Sequence, residues 1–203
     1  MYVRPKNFDE AIALMSEDTW SILAGGTDIY PSIGERSVDA SFIDLTNICN
    51  LKGITEHDSC WKIGALTTWT ELIKTKLPPG FNALKQAAIE IGSIQIQNRA
   101  TIAGNICNAS PAADGVPALM ILNASVELAS VNGTRDVTLE DFIIGNRETV
   151  RKRNEIVSSI KVPKTDLESS SVFRKLGVRK YLVISMTMIA LKMSISRNGT
   201  IKR

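Results

Sequence analysis

The spacing of apolar residues in the first fifty positions predicts two kinds of element. One helix face is formed by Phe8, Ala11, Ile12 and Met15, after a capping pair of Asn7 and Glu10. Short apolar runs at 20–24 and 41–45 are typical of strands, and Gly25-Gly26 separates the first run from a second helix predicted to open at 28–31. Because strand, glycine loop, helix and strand follow in this order, we predict a small parallel sheet.

From Trp61 onwards the pattern favours strands over helices. Thr68 and Glu71 match a capping box, and a helix is predicted from Asn82 to near Gly92. Hairpin turns are predicted at Asn132-Gly133 and Asn198-Gly199. Predicted strands occupy residues 61–64, 125–130, 135–139, 156–162, 171–176 and 182–195. We therefore expect an α+β fold with a small N-terminal parallel sheet in subdomain 1–55 and a larger, mainly antiparallel sheet in subdomain 56–203.

Two segments carry the residue types of a ligand site. The first, Leu23 to Asp28, has two glycines between a strand and a helix, where backbone amides can approach an anion. A strand-to-helix turn also needs glycine for structural reasons alone. The second, Arg99 to Asp114, is rich in small polar residues and nearly uncharged. Such a lining suits backbone wrapped around a large polar ligand, with hydrogen-bonding groups at Thr101, Asn105, Asn108 and Ser110.

Several other chemistries find little support. The net charge of +3, without an aromatic-rich basic motif, argues against nucleic acid. No apolar run suggests a signal peptide or a bilayer span, so we expect a cytoplasmic protein. Cys49, Cys60 and Cys107 form no metal-binding pair and are read as reduced thiols. His57, the single histidine, is assigned to a surface turn, and nucleotide-binding G-x-G-x-x-G and P-loop motifs are missing.

A cluster of positive charge is left with two interpretations. It consists of Arg147, Arg151, Lys152 and Arg153. It is either a solvated loop between strands or a patch that docks an acidic partner.

The two ligand segments closely resemble the FAD-binding motifs of the molybdopterin dehydrogenase flavoprotein family. The similarity is carried by residues 22–28, 101–106 and 108–114, and it extends to residues 63–68, 91–98, 154–157 and 173–177. It covers nearly the whole chain in order. The resemblance implies the FAD-binding fold of the vanillyl-alcohol oxidase type, in which non-covalently bound FAD lies between two α+β subdomains.

Carried over position by position, the resemblance implies a set of cofactor contacts. Leu23 to Ile29 would surround the diphosphate, and Lys175 would stabilise the anionic reduced flavin. The complete set is Leu23, Ala24, Gly25, Gly26, Thr27, Asp28, Ile29, Ile91, Thr101, Gly104, Asn105, Asp114, Val157 and Lys175. No catalytic side chain and no metal ligand are assigned.

Three departures from the family pattern are visible. Ala103 replaces the usual glycine of the second motif, and residues 177–180 hold fewer arginines than many relatives. The family's C-terminal domain is expected to be absent. These departures bear on partner docking and flavin shielding more than on FAD binding itself.

The function implied is that of an oxidoreductase subunit. Electrons would pass from a molybdopterin-binding large subunit through an iron–sulfur small subunit to FAD, and then to NAD or another acceptor. Two alternatives stay open: a stand-alone flavin oxidase of the same fold, and a nucleotide-binding assembly module without electron transfer.

Overall fold

The computed structural model describes residues 1–33 and 40–194. Within them the helices are α1 (Phe8–Glu17), α2 (Ile29–Ile33), α3 (Trp69–Lys74), α4 (Asn82–Glu90), α5 (Ile94–Gln97), α6 (Ile102–Asn108), α7 (Gly115–Met120) and α8 (Leu139–Phe142). The strands are β1 (Tyr2–Val3), β2 (Ser21–Leu23), β3 (Phe42–Asp44), β4 (Ile54–Glu56), β5 (Cys60–Gly64), β6 (Ser125–Ser130), β7 (Gly133–Thr138), β8 (Ile143–Gly145), β9 (Glu148–Thr149), β10 (Ile156–Pro163), β11 (Ser170–Leu176) and β12 (Thr187–Met193). The α+β fold with a small parallel sheet and a larger antiparallel sheet is confirmed. Two further antiparallel pairs, β8 with β9 and β11 with β12, form separate two-stranded sheets.

The N-terminal sheet is parallel, in the order β1-β3-β2. Helix α1 connects its outer strands and begins where the sequence predicts, because the Asn7 side chain accepts a hydrogen bond from the Glu10 amide. Ala11 and Met15 face a small core that also contains Trp20 and Ile43. This core positions β2, whose last residue leads into the glycine loop.

The larger sheet is antiparallel, in the order β4-β5-β10-β6-β7. Its central strand β10 is almost wholly buried, and helices α3, α4, α6 and α7 contribute to the same core. The predicted capping box of Thr68 and Glu71 starts α3. Strand β4 includes Thr55 and pairs with β5, so this sheet begins at Ile54. The division of the chain after residue 55 stays a prediction.

Two strand predictions need correction. Residues 182–186 form a loop, in which Leu182 has a φ of +50°, and strand β12 begins only at Thr187. Side chains hold this loop: Lys175 donates to the carbonyl of Val183, and Ser185 donates to Asp114. The first hairpin is predicted to turn at Asn132-Gly133, but the turn residues are Val131 and Asn132. Gly133 (φ +107°) is already part of β7 and pairs with Ser130 of β6. The predicted turn at Asn198-Gly199 lies outside the described residues.

A charged network crosses the larger sheet. Glu127 on β6 lies 3.0 Å from Lys62 Nζ and 2.6 Å from Lys161 Nζ, and it accepts a hydrogen bond from Ser158. Burial acts to raise the pKa of Glu127, but the bonds from Lys161, Ser158 and Lys62 outweigh it and bring the pKa to about 2. The carboxylate form is therefore stabilised by the fold.

This network predicts acid sensitivity. A carboxyl whose pKa falls on folding stabilises the protein above its unfolded pKa, and this stabilisation is lost as the pH falls towards about 2. On acidification, the free energy of unfolding should fall by about 1–2 kcal/mol less in Glu127→Gln than in wild type. This figure includes a reduction for screening of the network by solvent. Urea unfolding at several pH values measures it, with exposed Glu168→Gln as control. Parallel pH curves for wild type and Glu127→Gln would contradict this assignment.

Candidate functional site

A cleft of about 1250 Å³ opens between the N-terminal unit and the larger sheet. Such a volume exceeds the roughly 300–1,000 Å³ of ordinary small-molecule pockets and suits an extended ligand. Both predicted ligand segments line it. Of the predicted contacts, the cleft wall contains Ala24, Gly25, Gly26, Thr27, Asp28, Ile29, Ile91, Thr101, Gly104, Asn105, Asp114 and Val157.

Two predicted contacts lie elsewhere. Leu23 is buried but does not line the cleft, whereas the preceding residue, Ile22, does. Neighbouring residues of a strand point to opposite faces, which explains why Ile22 lines the cleft and Leu23 does not. Lys175 also lies behind the wall, where its ammonium donates to Asp114 (2.8 Å), Glu90 O (3.0 Å) and Val183 O (3.1 Å). Lys175 therefore contacts Asp114 and two backbone carbonyls and does not line the cleft.

The first glycine loop is shaped by close backbone packing. A Cβ on Gly25 would lie 2.1 Å from the carbonyl oxygen of Arg99, so only glycine lets the two segments approach. Gly26 has a φ of +74°, and a Cβ there would meet the ring of Tyr30. Packing and backbone conformation therefore explain why glycine is needed at both positions, and both residues also line the cleft.

The second segment contains a helix that the sequence analysis did not predict. Thr101 caps α6 by accepting a hydrogen bond from the Gly104 amide (3.0 Å), and its hydroxyl hydrogen remains available to a ligand. Ala103 lies inside this helix, where an alanine Cβ fits without strain. Ser110 accepts a hydrogen bond from the Ala112 amide. Two of the polar side chains that suggested a ligand, Thr101 and Ser110, thus form hydrogen bonds within the segment itself.

Two buried polar atoms in the cleft wall have no partner among the described residues. They are the indole Nε1 of Trp69 and the side-chain Oδ1 of Asn105. An unpaired buried polar atom costs about 1–3 kcal/mol, so such atoms usually meet a ligand or water. Both side chains lie against Gly115, where a Cβ would collide with the Trp69 ring and with Asn105 Oδ1. This arrangement fits a cofactor that brings its own hydrogen-bonding groups.

Asp114 belongs to a buried cluster at the edge of the cleft. One carboxylate oxygen pairs with Lys175, and the other accepts a hydrogen bond from Ser185. The cluster attaches the loop of residues 182–184, which also lines the cleft. Sequence reasoning missed this loop because its contacts lie about seventy residues apart in the chain.

The basic cluster also contributes to the cleft. Arg147, Arg151 and Arg153 line it, whereas Lys152 points elsewhere. The sequence suggests a solvated loop or a docking patch for this cluster, and neither interpretation places the arginines in a ligand cleft. No local sequence signal distinguishes the three positions.

Comparison with known proteins identifies the family. Residues 1–165 match the model for the FAD binding domain in molybdopterin dehydrogenase. The chain belongs to this family. The resemblance seen in the motifs is therefore confirmed, and FAD is the cofactor of this domain.

Relatives of the family resemble the chain over most of its length. It is 36% identical to the FAD-subunit of nicotinate dehydrogenase from Eubacterium barkeri over 91% of the chain and 65% of the relative. It is 35% identical to the carbon monoxide dehydrogenase medium chain of Hydrogenophaga pseudoflava over 80% of the chain and 58% of the relative. A solved structure of the latter enzyme, lacking the Mo-pyranopterin moiety of its cofactor, superposes with a TM-score of 0.90 at 30% identity and covers all of this chain and 71% of its counterpart. The chain thus spans less than two thirds of the length of both curated relatives.

Other expectations concern absent features and reactive groups. Across residues 1–33 and 40–194, no helix combines the length and apolarity needed to cross a membrane. In the same ranges, no three potential ligand residues are grouped so that they could hold a metal ion. The three cysteines are free thiols, and His57 is exposed at the turn between β4 and β5, both as predicted.

Proposed function

We propose that the chain is the FAD-binding electron-transfer part of a molybdenum hydroxylase. In this proposal, a molybdopterin-binding large subunit oxidises the substrate, and an iron–sulfur small subunit delivers electrons. Bound FAD supplies the chemistry of accepting and passing on those electrons, to NAD or another acceptor. The observation that carries the proposal is the cleft, whose wall contains residues from both segments that resemble the family's FAD-binding motifs.

The chain's own residues bind and orient the cofactor in this proposal. Gly25 and Gly26 bring backbone close to the diphosphate, and Thr101 donates through its free hydroxyl hydrogen. Asn105 offers an unpaired acceptor in the wall. Apolar contacts come from Ile91 and Val157. The side chain of Lys175 holds the carboxylate of Asp114 in place.

Among the described residues, two of the three carboxylates that line the cleft favour this function over a stand-alone oxidase; the third, Glu148, is exposed to solvent. A stand-alone oxidase requires an acid or base free to exchange protons with its substrate. Asp114 is paired with Lys175 and Ser185, and Asp28 accepts a hydrogen bond from Asn108. These groups are engaged in holding the cleft together.

We also propose a cytoplasmic location, which the three free thiols support.

We expect the bound FAD to be non-covalent. Histidine and cysteine side chains are the usual points of attachment for a flavin, and Cys107 is the one such residue among those described in the cleft wall. Burial raises the pKa of its thiol to about 11, which keeps it protonated and weakly nucleophilic. Acid precipitation should release all of the yellow colour into the supernatant. Flavin retained on the denatured polypeptide would contradict this expectation.

Electron transfer is tested with the assembled complex. The chain is co-expressed with the products of adjacent genes, purified, and mixed with reducing substrate while flavin and iron–sulfur absorbance are followed. We expect stoichiometric FAD that becomes reduced after the clusters. A chain that binds no FAD on titration would overturn the proposed function. FAD that binds but is never reduced by a partner would support an assembly module.

A further inference from the structure

Three arginines in the cleft wall carry charge that the described protein does not neutralise. Within residues 1–33 and 40–194, no carboxylate lies within 4.0 Å of the guanidinium groups of Arg147, Arg151 or Arg153. By contrast, Asp114 on the same wall is paired with Lys175 at 2.8 Å. Unpaired cations around a concave surface create a field that attracts anions.

Arg147 is held in the cleft wall by its backbone and by its side chain. It lies at the turn between β8 and β9 with a φ of +58°, a conformation that costs a non-glycine residue free energy. Its backbone amide donates to Ala109 O at 2.9 Å, at the end of α6. Its guanidinium donates to Asn108 Oδ1 at 2.7 Å. One backbone hydrogen bond thus fixes the position of this residue, and one guanidinium hydrogen bond fixes its side chain against Asn108.

The same contacts place Arg147 beside the first glycine loop. Asn108 donates through Nδ2 to Asp28 Oδ1 at 3.0 Å, so one amide group separates Arg147 from Asp28. Asp28 closely follows Gly26 in the loop. Because the Asn108 amide lies between Arg147 and Asp28, the guanidinium forms no ion pair with Asp28. Its remaining N–H groups can therefore donate to a ligand.

We propose that Arg147 pairs with the diphosphate of FAD and makes the cleft selective for flavins that carry phosphate. This inference rests on the proposed function. The glycine loop offers only neutral amides to a dianion, and Asp28 beside it is acidic. A guanidinium supplies the missing positive charge and matches the geometry of phosphate oxygens. Arg151 and Arg153 extend the positive wall.

The test compares Arg147→Gln with Lys152→Gln. Both variants remove one positive charge from the same segment, but Lys152 does not line the cleft. Dissociation constants are measured for FAD and for riboflavin, which has no phosphate, at low and high salt. For Arg147→Gln we expect FAD binding roughly tenfold weaker, with a smaller salt dependence, and riboflavin binding unchanged. Lys152→Gln should bind both flavins like wild type.

The outcomes separate this inference from the proposed function. Equal FAD affinity in Arg147→Gln and wild type overturns the role of Arg147 alone. Equal losses for FAD and riboflavin overturn it as well, because they show a structural effect without phosphate recognition. Wild type that binds no flavin overturns the proposed function itself. If Arg147→Gln fails to fold, two other measurements test the pairing: FAD binding by Arg147→Lys, and the salt dependence of FAD binding by wild type. A wild-type FAD affinity that does not change with salt contradicts the pairing.

Discussion

Replacing Lys175 by methionine should lower the free energy of unfolding by about 3–5 kcal/mol, the usual cost of leaving one partner of a buried ion pair uncompensated. The side chains of Lys175 and Asp114 are only 6% and 8% exposed. Methionine fills similar space but leaves the Asp114 carboxylate, and the carbonyls of Glu90 and Val183, without their donor. Urea denaturation of the FAD-free proteins measures the loss.

A matched control is available on the surface. Lys164 pairs with Glu56 at 2.7 Å, but the two side chains are 35% and 55% exposed, so Lys164→Met should cost at most about 1 kcal/mol. The double variant Asp114→Asn with Lys175→Met should lose less than the sum of the single variants, because no buried charge is left alone. Equal losses in Lys175→Met and Lys164→Met would show that the buried pair does not stabilise the fold.

Replacing Gly26 by valine should weaken FAD binding roughly tenfold to a hundredfold or more, equivalent to about 1.5–3 kcal/mol for one charge-assisted contact. The new side chain would lie in the loop that we assign to the diphosphate, and its β-branched Cβ disfavours the φ of +74°. Tyr30, which the Cβ would meet, is 59% exposed and can rotate away. The folded state should therefore survive, and FAD titration of the folded apo protein measures the loss.

Gly53→Val separates backbone strain from ligand contact. Gly53 also has a positive φ, of +88°, but a Cβ there meets nothing within 4 Å and the residue does not line the cleft. Both variants should lower the melting temperature of the apo protein, while only Gly26→Val should weaken FAD binding. Equal dissociation constants for Gly26→Val and wild type would remove Gly26 from the site.

Local sequence predicted most elements well where the deciding interactions lie within a few residues. Helix α1 depends on the Asn7 cap and α3 on the box of Thr68 and Glu71, and both begin as predicted. The small, polar residues 101–108 predict a ligand-binding segment, but their pattern does not reveal that they also form helix α6. The Thr101 hydroxyl caps this helix, and its apolar residues Ile102 and Ile106 enter the core.

Residue types at short spacing are enough to identify the family, the cofactor class and the two glycine-bearing segments, because motif chemistry depends on them. Which side chains face the cleft depends on contacts between distant parts of the chain. Lys175 meets Asp114 across 61 positions, and Arg147 reaches Asn108 across 39. No local pattern encodes such distances, since packing of the two sheets and their helices sets which distant side chains meet, and burial then makes an unpaired charge costly.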